Sequence, residues 1–246
     1  QDTLHVDLDA WMEPSPPEPQ SHKIDSPLTS THLKNTDPDS GQTSTSLEIR
    51  PRILICIPVK DAEPYLTTLW TNLNTLDYPH GRLSLAFLES DSSDATLEAI
   101  ESRLPMLRKT FSRVELFKRD YGFRSDLPRW EPSQQFRRRS IMARSRNFLL
   151  SSSLRDEAWV LWIDADVARW PADVIQQLLT VKKEIVVPNC LVLGKGHTFD
   201  YNTFRFKPGA KDMDWTPYLK DGILQPPKGL GRHYLSDLRE YQEVEV

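Results

Sequence analysis

The sequence predicts an α/β domain with a mainly parallel central sheet, preceded by a disordered tail. Continuous aliphatic runs are typical of strands buried on both faces of a parallel sheet. Apolar residues at helical spacing lie between these runs, and such alternation of strands and helices favours parallel pairing. The Pro, Ser and Thr content of residues 1–50 separates the tail from the domain at residues 51–246.

The tail, residues 1–50, contains 13 Ser or Thr residues, 6 Pro residues, 9 acidic residues and 3 basic residues. No apolar run at period 2 or 3.6 follows Trp11 and Met12. Such a segment cannot bury enough surface to offset the entropy lost on ordering. We therefore interpret it as an acidic stalk or linker.

The first half of the domain is predicted to contain two strands and two helices. The first strand lies at residues 53–57, which are continuously aliphatic, and a helix follows with apolar residues at helical spacing from Tyr65 to Leu76. A second aliphatic run predicts a strand at residues 83–88. Residues 90–94 then offer N-cap side chains for a helix.

The second half of the domain continues the same alternation. Strands are predicted at residues 114–117 and 159–163, with a helix beginning near Ser133 between them. A further helix at residues 173–179 precedes a predicted fifth strand at residues 185–187.

Composition excludes several classes of protein. The 246 residues carry a net charge of −4, which gives no general affinity for nucleic acid. No stretch approaches the roughly 18 apolar residues that a membrane span requires. Cys56 and Cys190 are too few for a disulfide framework or a structural zinc site, and both lie in apolar runs that predict buried, reduced thiols.

The carboxyl ends of the strands are where ligands bind in parallel sheets. Asp164 and Asp166 follow an apolar strand, and their spacing places both carboxylates on one side of an extended chain. Carboxylate pairs of this type suit Mg²⁺ or Mn²⁺ together with substrate phosphate oxygens. The alternative is a solvated turn.

Residues 103–146 contain 13 basic and 4 acidic residues and should attract an anion. On the predicted helix, Arg137 and Arg144 lie two turns apart in one column, and Arg139 and Arg146 in another. A guanidinium that is partly buried needs an anionic partner, which a diphosphate or the protein's own carboxylates could supply. Together with the Asp-Ala-Asp triplet and a carboxylate after the second strand that could bind a ribose or base, this arrangement is typical of a nucleotide-sugar glycosyltransferase.

Six motifs resemble the fungal mannan-polymerase α-mannosyltransferases, in order from about Arg52 to about Phe206. They are RILICIPVKDA at 52–62, LDYPH at 76–80, FLESDSSD at 87–94, RRSIMARSRN at 138–147, WIDADV at 162–167 and VPNC at 187–190. The resemblance implies a GT-A fold, GDP-mannose as the donor, Mn²⁺ as the metal, and retaining transfer to a mannose-containing glycan that elongates N-glycan mannan.

The resemblance also implies roles for individual residues. By position, Asp164 and Asp166 take the family's metal and diphosphate role, and we take Arg146 as the candidate for a further diphosphate contact. The nucleotide pocket comprises Pro58, Lys60, Asp61 and Asp91.

Location and partners follow from the same resemblance. We expect a type II Golgi membrane protein with a lumenal domain, an anchor upstream of this chain, and related subunits in a mannan-polymerase complex. We also expect a glycine-rich acceptor segment with a further metal-ligand His beyond Val246.

Two other readings compete with this interpretation. A haloacid-dehalogenase phosphatase also places Asp-x-Asp after a buried strand, but here the motif follows the fourth strand, and no lone downstream Lys with paired acids is evident. A non-catalytic scaffold subunit that binds GDP-mannose within a mannan-elongating complex would carry the same motifs, so the sequence does not separate it from an enzyme.

Overall fold

A computed structural model describes residues 50–124, 127, 131–195, 199, 204–220, 223–227 and 229–234. The main strands are β1 (Ile53–Val59), β2 (Leu83–Glu89), β3 (Arg113–Lys118) and β4 (Trp159–Trp162). The helices are α1 (Glu63–Asn74), α2 (Thr96–Thr110), α3 (Pro132–Ser153) and α4 (Val174–Thr180). Four short strands follow: β5 (Phe204–Phe206), β6 (Leu219–Lys220), β7 (Ile223–Leu224) and β8 (Arg232–Tyr234).

The central sheet has four strands in the order β3-β2-β1-β4, and all of its neighbouring pairs are parallel. The predicted α/β fold with a mainly parallel sheet is confirmed. Every residue of β2 is buried and so is nearly every residue of β1, as the continuous aliphatic runs predict for central strands. Strand β4 lies at one edge, and its first residue, Trp159, is exposed.

Successive residues of the central strands contribute to different cores. Ile53, Ile55 and Ile57 pack with apolar residues of α1 and α2 in the larger cluster. Leu54 and Cys56 pack with Leu149 of α3 in a second cluster. Because side chains alternate across a strand, α1 and α2 cover one face of the sheet and α3 covers the other.

The start of α1 is tied to the start of α2 by Thr96, which is fully buried. Its Oγ1 accepts the backbone N–H groups of Ala62 and Glu63 at 2.7 and 3.1 Å. Asp94 in turn accepts the Thr96 hydroxyl and backbone N–H groups. These bonds occupy groups that helix N-termini leave unsatisfied. The prediction that residues 90–94 supply the N-cap is wrong, since the N-cap of α2 is Ala95, which makes no side-chain cap bond, but Asp94 directly before it accepts the first helical N–H, that of Thr96.

Two predictions about the segment after α4 are wrong. Residues 185–187 form no strand, and the side chains of Ile185 and Val187 are exposed. An aliphatic run forms a strand only where it can pair with a neighbouring strand and pack into a core. Residues 185–187 belong to neither core cluster. Cys190 is exposed in the same segment, whereas Cys56 is buried as predicted, and burial raises the pKa of its thiol to about 11.

The chain after residue 203 forms two small antiparallel ribbons, β5 with β8 and β6 with β7. Aromatic rings link them to the intervening turns, since Phe206 lies 6.1 Å from Trp215, which lies 6.3 Å from Tyr218. The stalk predicted at 1–50 lies outside the described residues apart from Arg50. Within the described part of the chain, no helix is long and apolar enough to cross a membrane.

Candidate functional site

A cavity of about 320 Å³ lies at the carboxyl ends of β1, β2 and β4, beside α3. Six of the predicted site residues line it: Pro58, Lys60, Asp61, Arg146, Asp164 and Asp166. They come from three separate segments of the chain, and the parallel sheet brings those segments to one edge.

Asp61 locks the end of β1 to the loop after β2. Its backbone has a φ of 47°, in the left-handed region that Asp tolerates better than most residues. Its N–H group donates to Ser92 Oγ at 3.0 Å, and its Oδ1 accepts the N–H and hydroxyl groups of Ser93 at 2.7 and 3.0 Å. This side chain therefore shapes the rim of the cavity through hydrogen bonds within the protein.

Lys60 is half-buried and reaches the segment that follows β3. Its Nζ donates to the backbone carbonyl of Phe123 and lies 5.5 Å from the centre of the Phe123 ring. Phe123 itself lines the cavity. The ammonium group thus holds an aromatic part of the cavity wall in place.

Asp91 is not among the residues that line the cavity. It is buried, and its two carboxylate oxygens accept the backbone N–H groups of Tyr121 and Gly122, each at 2.9 Å. Burial opposes ionisation of this carboxyl, but the N–H groups of residues 121–123 and the Lys60 ammonium outweigh it and lower its pKa. Asp91, which the family resemblance places in the nucleotide pocket, therefore accepts bonds from the protein backbone.

Helix α3 contributes a stripe that the sequence analysis missed. Gln134, Arg138, Ile141 and Ser145 line the cavity at successive helical turns. The signal that could have identified them is the spacing of three or four residues, which defines one face of a helix. The predicted ligand contacts on this helix rested on its basic residues instead.

The two predicted arginine columns differ in their contacts. Arg137 and Arg144 both contact the segment after β3, with guanidinium carbons 5.4 Å from the Phe123 ring and 5.3 Å from the Tyr121 ring. Arg139 is exposed and does not line the cavity, whereas Arg146 lines it. Of the four column arginines, Arg146 is thus the one placed to meet a ligand in the cavity.

Arg146 Nη2 lies 3.3 Å from Asp164 Oδ1, and the guanidinium also lies over the Trp162 ring at 5.6 Å. The two charged side chains are 42% and 62% exposed, so the pair is open to solvent. Such an exposed pair contributes at most about 1 kcal/mol and can readily exchange for a ligand.

The Asp-Ala-Asp triplet forms a turn in which Val167 N–H donates to Asp164 O at 3.2 Å. Ala165 is buried, while the carboxylates on either side are exposed and line the cavity. An oxygen-only pair of this kind fits a hard divalent cation that takes its remaining ligands from a substrate and water. The described residues contain no cluster of three or more His, Cys, Asp or Glu side chains that could hold a metal by themselves.

The sequence model of the Anp1 family matches residues 32–216, which is well over half of the chain. The chain belongs to the Anp1 family. It is 33% identical to the mannan polymerase II complex ANP1 subunit of Saccharomyces cerevisiae, with 77% of this chain and 41% of that protein aligned. It is 34% identical to the corresponding anp1 subunit of Schizosaccharomyces pombe, with 72% and 44% aligned.

A third member of this group, the mannan polymerase I complex VAN1 subunit of Saccharomyces cerevisiae, is 28% identical over 74% of this chain and 46% of its own length. The chain therefore spans less than half the length of these Anp1-family relatives. The family membership predicted from the motifs is confirmed.

Two solved structures have partial similarity to this chain. The mannosyltransferase PcManGT of Pyrobaculum calidifontis, in complex with GDP-Man and Mn²⁺, has a TM-score of 0.38 and 20% identity over 53% of this chain and 33% of that one. Residues 1–349 of Staphylococcus aureus TarS, in complex with UDP, have a TM-score of 0.41 and 16% identity over 62% and 40%.

Proposed function

We propose that this chain is part of a GT-A-type mannosyltransferase that uses GDP-mannose as donor and Mn²⁺ as metal. It would act within a mannan-polymerase complex in the Golgi lumen, where it elongates the mannan of N-glycans with retention of the α configuration. The observation that carries the proposal is the cavity at the carboxyl ends of β1, β2 and β4. There an acidic pair and a guanidinium from distant parts of the chain share one wall.

The acidic pair and Arg146 would have different roles in donor binding. Asp164 and Asp166 would hold the metal, which would neutralise the charge that develops on the leaving diphosphate. Arg146 carries a planar fork of N–H donors that can bind two phosphate oxygens at once. Its position 3.3 Å from Asp164 puts this fork next to the place where the diphosphate would approach the acidic pair.

The nucleoside would lie along the end of β1. Pro58, Lys60 and Asp61 line that part of the cavity, and the bonds that Asp61 accepts from Ser93 and that Lys60 donates to Phe123 would keep its wall rigid before the donor arrives. A preformed wall lowers the ordering cost of binding. The names of the relatives as mannan polymerase subunits support mannose as the transferred sugar and related subunits as partners.

Calorimetry of GDP binding with and without Mn²⁺ tests the proposal. Two carboxylates alone form a poor cage for this ion, so we expect Mn²⁺ to strengthen GDP binding and GDP to strengthen Mn²⁺ binding. The variants Asp164→Asn and Asp166→Asn should abolish this mutual strengthening. Asp173→Asn is the matched control, because Asp173 is exposed and bonds locally to Gln177. Equal GDP affinity with and without metal in the native protein would refute metal-dependent donor binding.

A transfer assay separates an enzyme from a scaffold. Radiolabelled GDP-mannose and an α-mannoside acceptor are incubated with the Mn²⁺-loaded protein, produced with extensions at both ends so that it includes the acceptor segment expected beyond Val246, and labelled product is measured. Transfer that disappears in Asp164→Asn supports the enzyme. Metal-dependent GDP-mannose binding without any transfer supports the alternative, a donor-binding scaffold subunit.

A further inference from the structure

The segment that follows β3, residues 120–123, forms the part of the cavity wall that contains Phe123. It has no regular secondary structure, so other groups must hold its backbone. Gly122 has a φ of 65°, in the left-handed region, which changes the local direction of the backbone and which glycine adopts without strain.

Asp91 satisfies N–H groups of this segment. Its Oδ2 accepts the N–H of Tyr121 and its Oδ1 accepts the N–H of Gly122, both at 2.9 Å. In return, the backbone N–H of Asp91 donates to Asp120 Oδ1 at 3.0 Å. Asp91 is only 4% exposed and has a φ of 56°, a conformation that non-glycine residues keep only where their surroundings enforce it.

Cations satisfy carbonyl groups of the same segment. Lys60 Nζ donates to the Phe123 carbonyl, and Arg137 Nη2 donates to the Gly122 carbonyl at 3.2 Å. The Arg119 and Arg144 guanidiniums lie 5.5 and 5.3 Å from the Tyr121 ring. The Asp91 carboxylate therefore binds N–H groups of this segment, whereas cations bind its carbonyl groups and contact its Tyr121 ring.

We propose that Asp91 is a positioning residue that acts on the donor site through Phe123. Its carboxylate holds residues 120–123 in the conformation that places the Phe123 side chain in the cavity wall. Asp91 does not touch the ligand, since Phe123 lines the cavity and Asp91 does not. The proposed effect of Asp91 on donor affinity rests on the proposed function, whereas its proposed effect on the backbone of residues 120–123 does not.

Amide hydrogen exchange on the ligand-free protein tests the effect on this segment. In Asp91→Asn the side chain has one acceptor oxygen instead of two, and its NH₂ group faces a backbone N–H. We expect the amides of Tyr121 and Gly122 to exchange at least tenfold faster. Asp94→Asn is the matched control, because Asp94 lies in the same loop but bonds to Thr96 and Glu63. It should leave the exchange of residues 121 and 122 unchanged. Unchanged exchange in Asp91→Asn would overturn the proposal, whether or not the native protein binds GDP.

A double-mutant cycle on GDP-Mn²⁺ affinity tests the action through Phe123. Asp91→Asn and Phe123→Ala should each weaken binding by about tenfold, and the double variant should bind no more weakly than Phe123→Ala alone. Losses that multiply in the double variant would mean that Asp91 binds the nucleotide directly, which overturns the proposal. A native protein that does not bind GDP fails the proposed function, and the exchange measurement then decides the role of Asp91.

Gly122→Ala is the variant to use if Asp91→Asn does not fold. A Cβ at Gly122 would meet nothing within 4 Å, so the substitution disturbs only the positive φ and leaves Asp91 intact. We expect the same faster exchange at Tyr121 and the same loss of GDP affinity. If the Tyr121 amide exchanged and GDP bound as in the native protein, the cavity wall would not depend on the backbone conformation at Gly122, which contradicts the proposal.

Discussion

The two ends of the central sheet both carry charged side chains, but they use them differently. At the amino end, Arg113 bonds to Glu115 and Glu157, and its guanidinium also donates to the Ser153 carbonyl. Arg155 completes this network with a bond of 2.8 Å to Glu115. The Glu157 side chain is 1% exposed and the Arg113 side chain 21%, so this ion pair is largely removed from solvent, whereas Arg155 is 60% exposed.

At the carboxyl end, Arg146, Asp164 and Asp166 line the cavity with side chains that solvent reaches and that few protein groups bind. Arg146 and Asp164 are 3.3 Å apart, and no described residue bonds to the Asp166 carboxylate. Charges that the protein leaves unsatisfied are available to a ligand, whereas a closed network stabilises the fold. The contrast predicts that substitutions at the amino end change stability and those at the carboxyl end change binding.

The largest expected effect is on stability, from Glu157→Gln. In this variant an amide NH₂ group would face the hydrogen-bond donors around it, and the Arg113 guanidinium would lose its buried negative partner. We expect the free energy of unfolding to fall by about 3 kcal/mol. Urea denaturation measures this loss. Asp156→Asn is the control, because its pair with Arg52 is exposed, and it should cost at most about 1 kcal/mol. Equal costs for the two variants would contradict the closed network.

The stability of the protein in acid tests the contribution of the same buried carboxylate, Glu157. Burial opposes ionisation of Glu157, but hydrogen bonds from Ser84, Arg113 and Arg155 outweigh it and lower its pKa from 4.5 to about 2. Because the folded-state pKa is lowered, the stabilisation is complete above about pH 4.5 and is lost as the pH falls towards 2. The full loss is roughly 3 kcal/mol at 1.36 kcal/mol per pKa unit. Stability measured from pH 5 to pH 2 should fall more steeply in the native protein than in Glu157→Gln.

Arg146→Lys tests the opposite end of the sheet. The change keeps the charge but removes the fork of donors, so GDP affinity in the presence of Mn²⁺ should fall by about ten- to a hundredfold. The melting temperature without ligand should stay unchanged, since the bond to Asp164 is exposed. Arg139→Lys on the same helix is the control and should bind GDP normally. A lower melting temperature with native GDP affinity would assign Arg146 to the fold instead.

The smallest effect is expected from removing residues 1–49. Their composition predicts a solvated stalk with no contacts to the core, so the melting temperature should change by no more than a degree or two. Arg50 is kept, because its guanidinium lies 5.6 Å from the Tyr78 ring. A large drop in the melting temperature would show that the segment packs against the domain.

Local pattern was sufficient to predict the sheet and its helices. The aliphatic runs at β1 and β2 admit only a strand that is buried on both faces, and the helical spacing from Tyr65 onward predicts α1. The same reasoning failed at residues 185–187, because an aliphatic run does not encode whether a neighbouring strand is available beside it. Cys190 is exposed for the same reason.

Residue type and spacing along the chain were sufficient to predict the family, the order of the main elements and six of the residues that line the cavity. The partners of the individual charges follow from the three-dimensional packing. Arg137 and Arg144 contact aromatic rings, Arg146 lies beside Asp164, and Asp91 binds a backbone segment about thirty residues away. Such partners are set by which segments meet at the edge of the sheet, and the spacing of charges along one segment carries no information about what lies across from it.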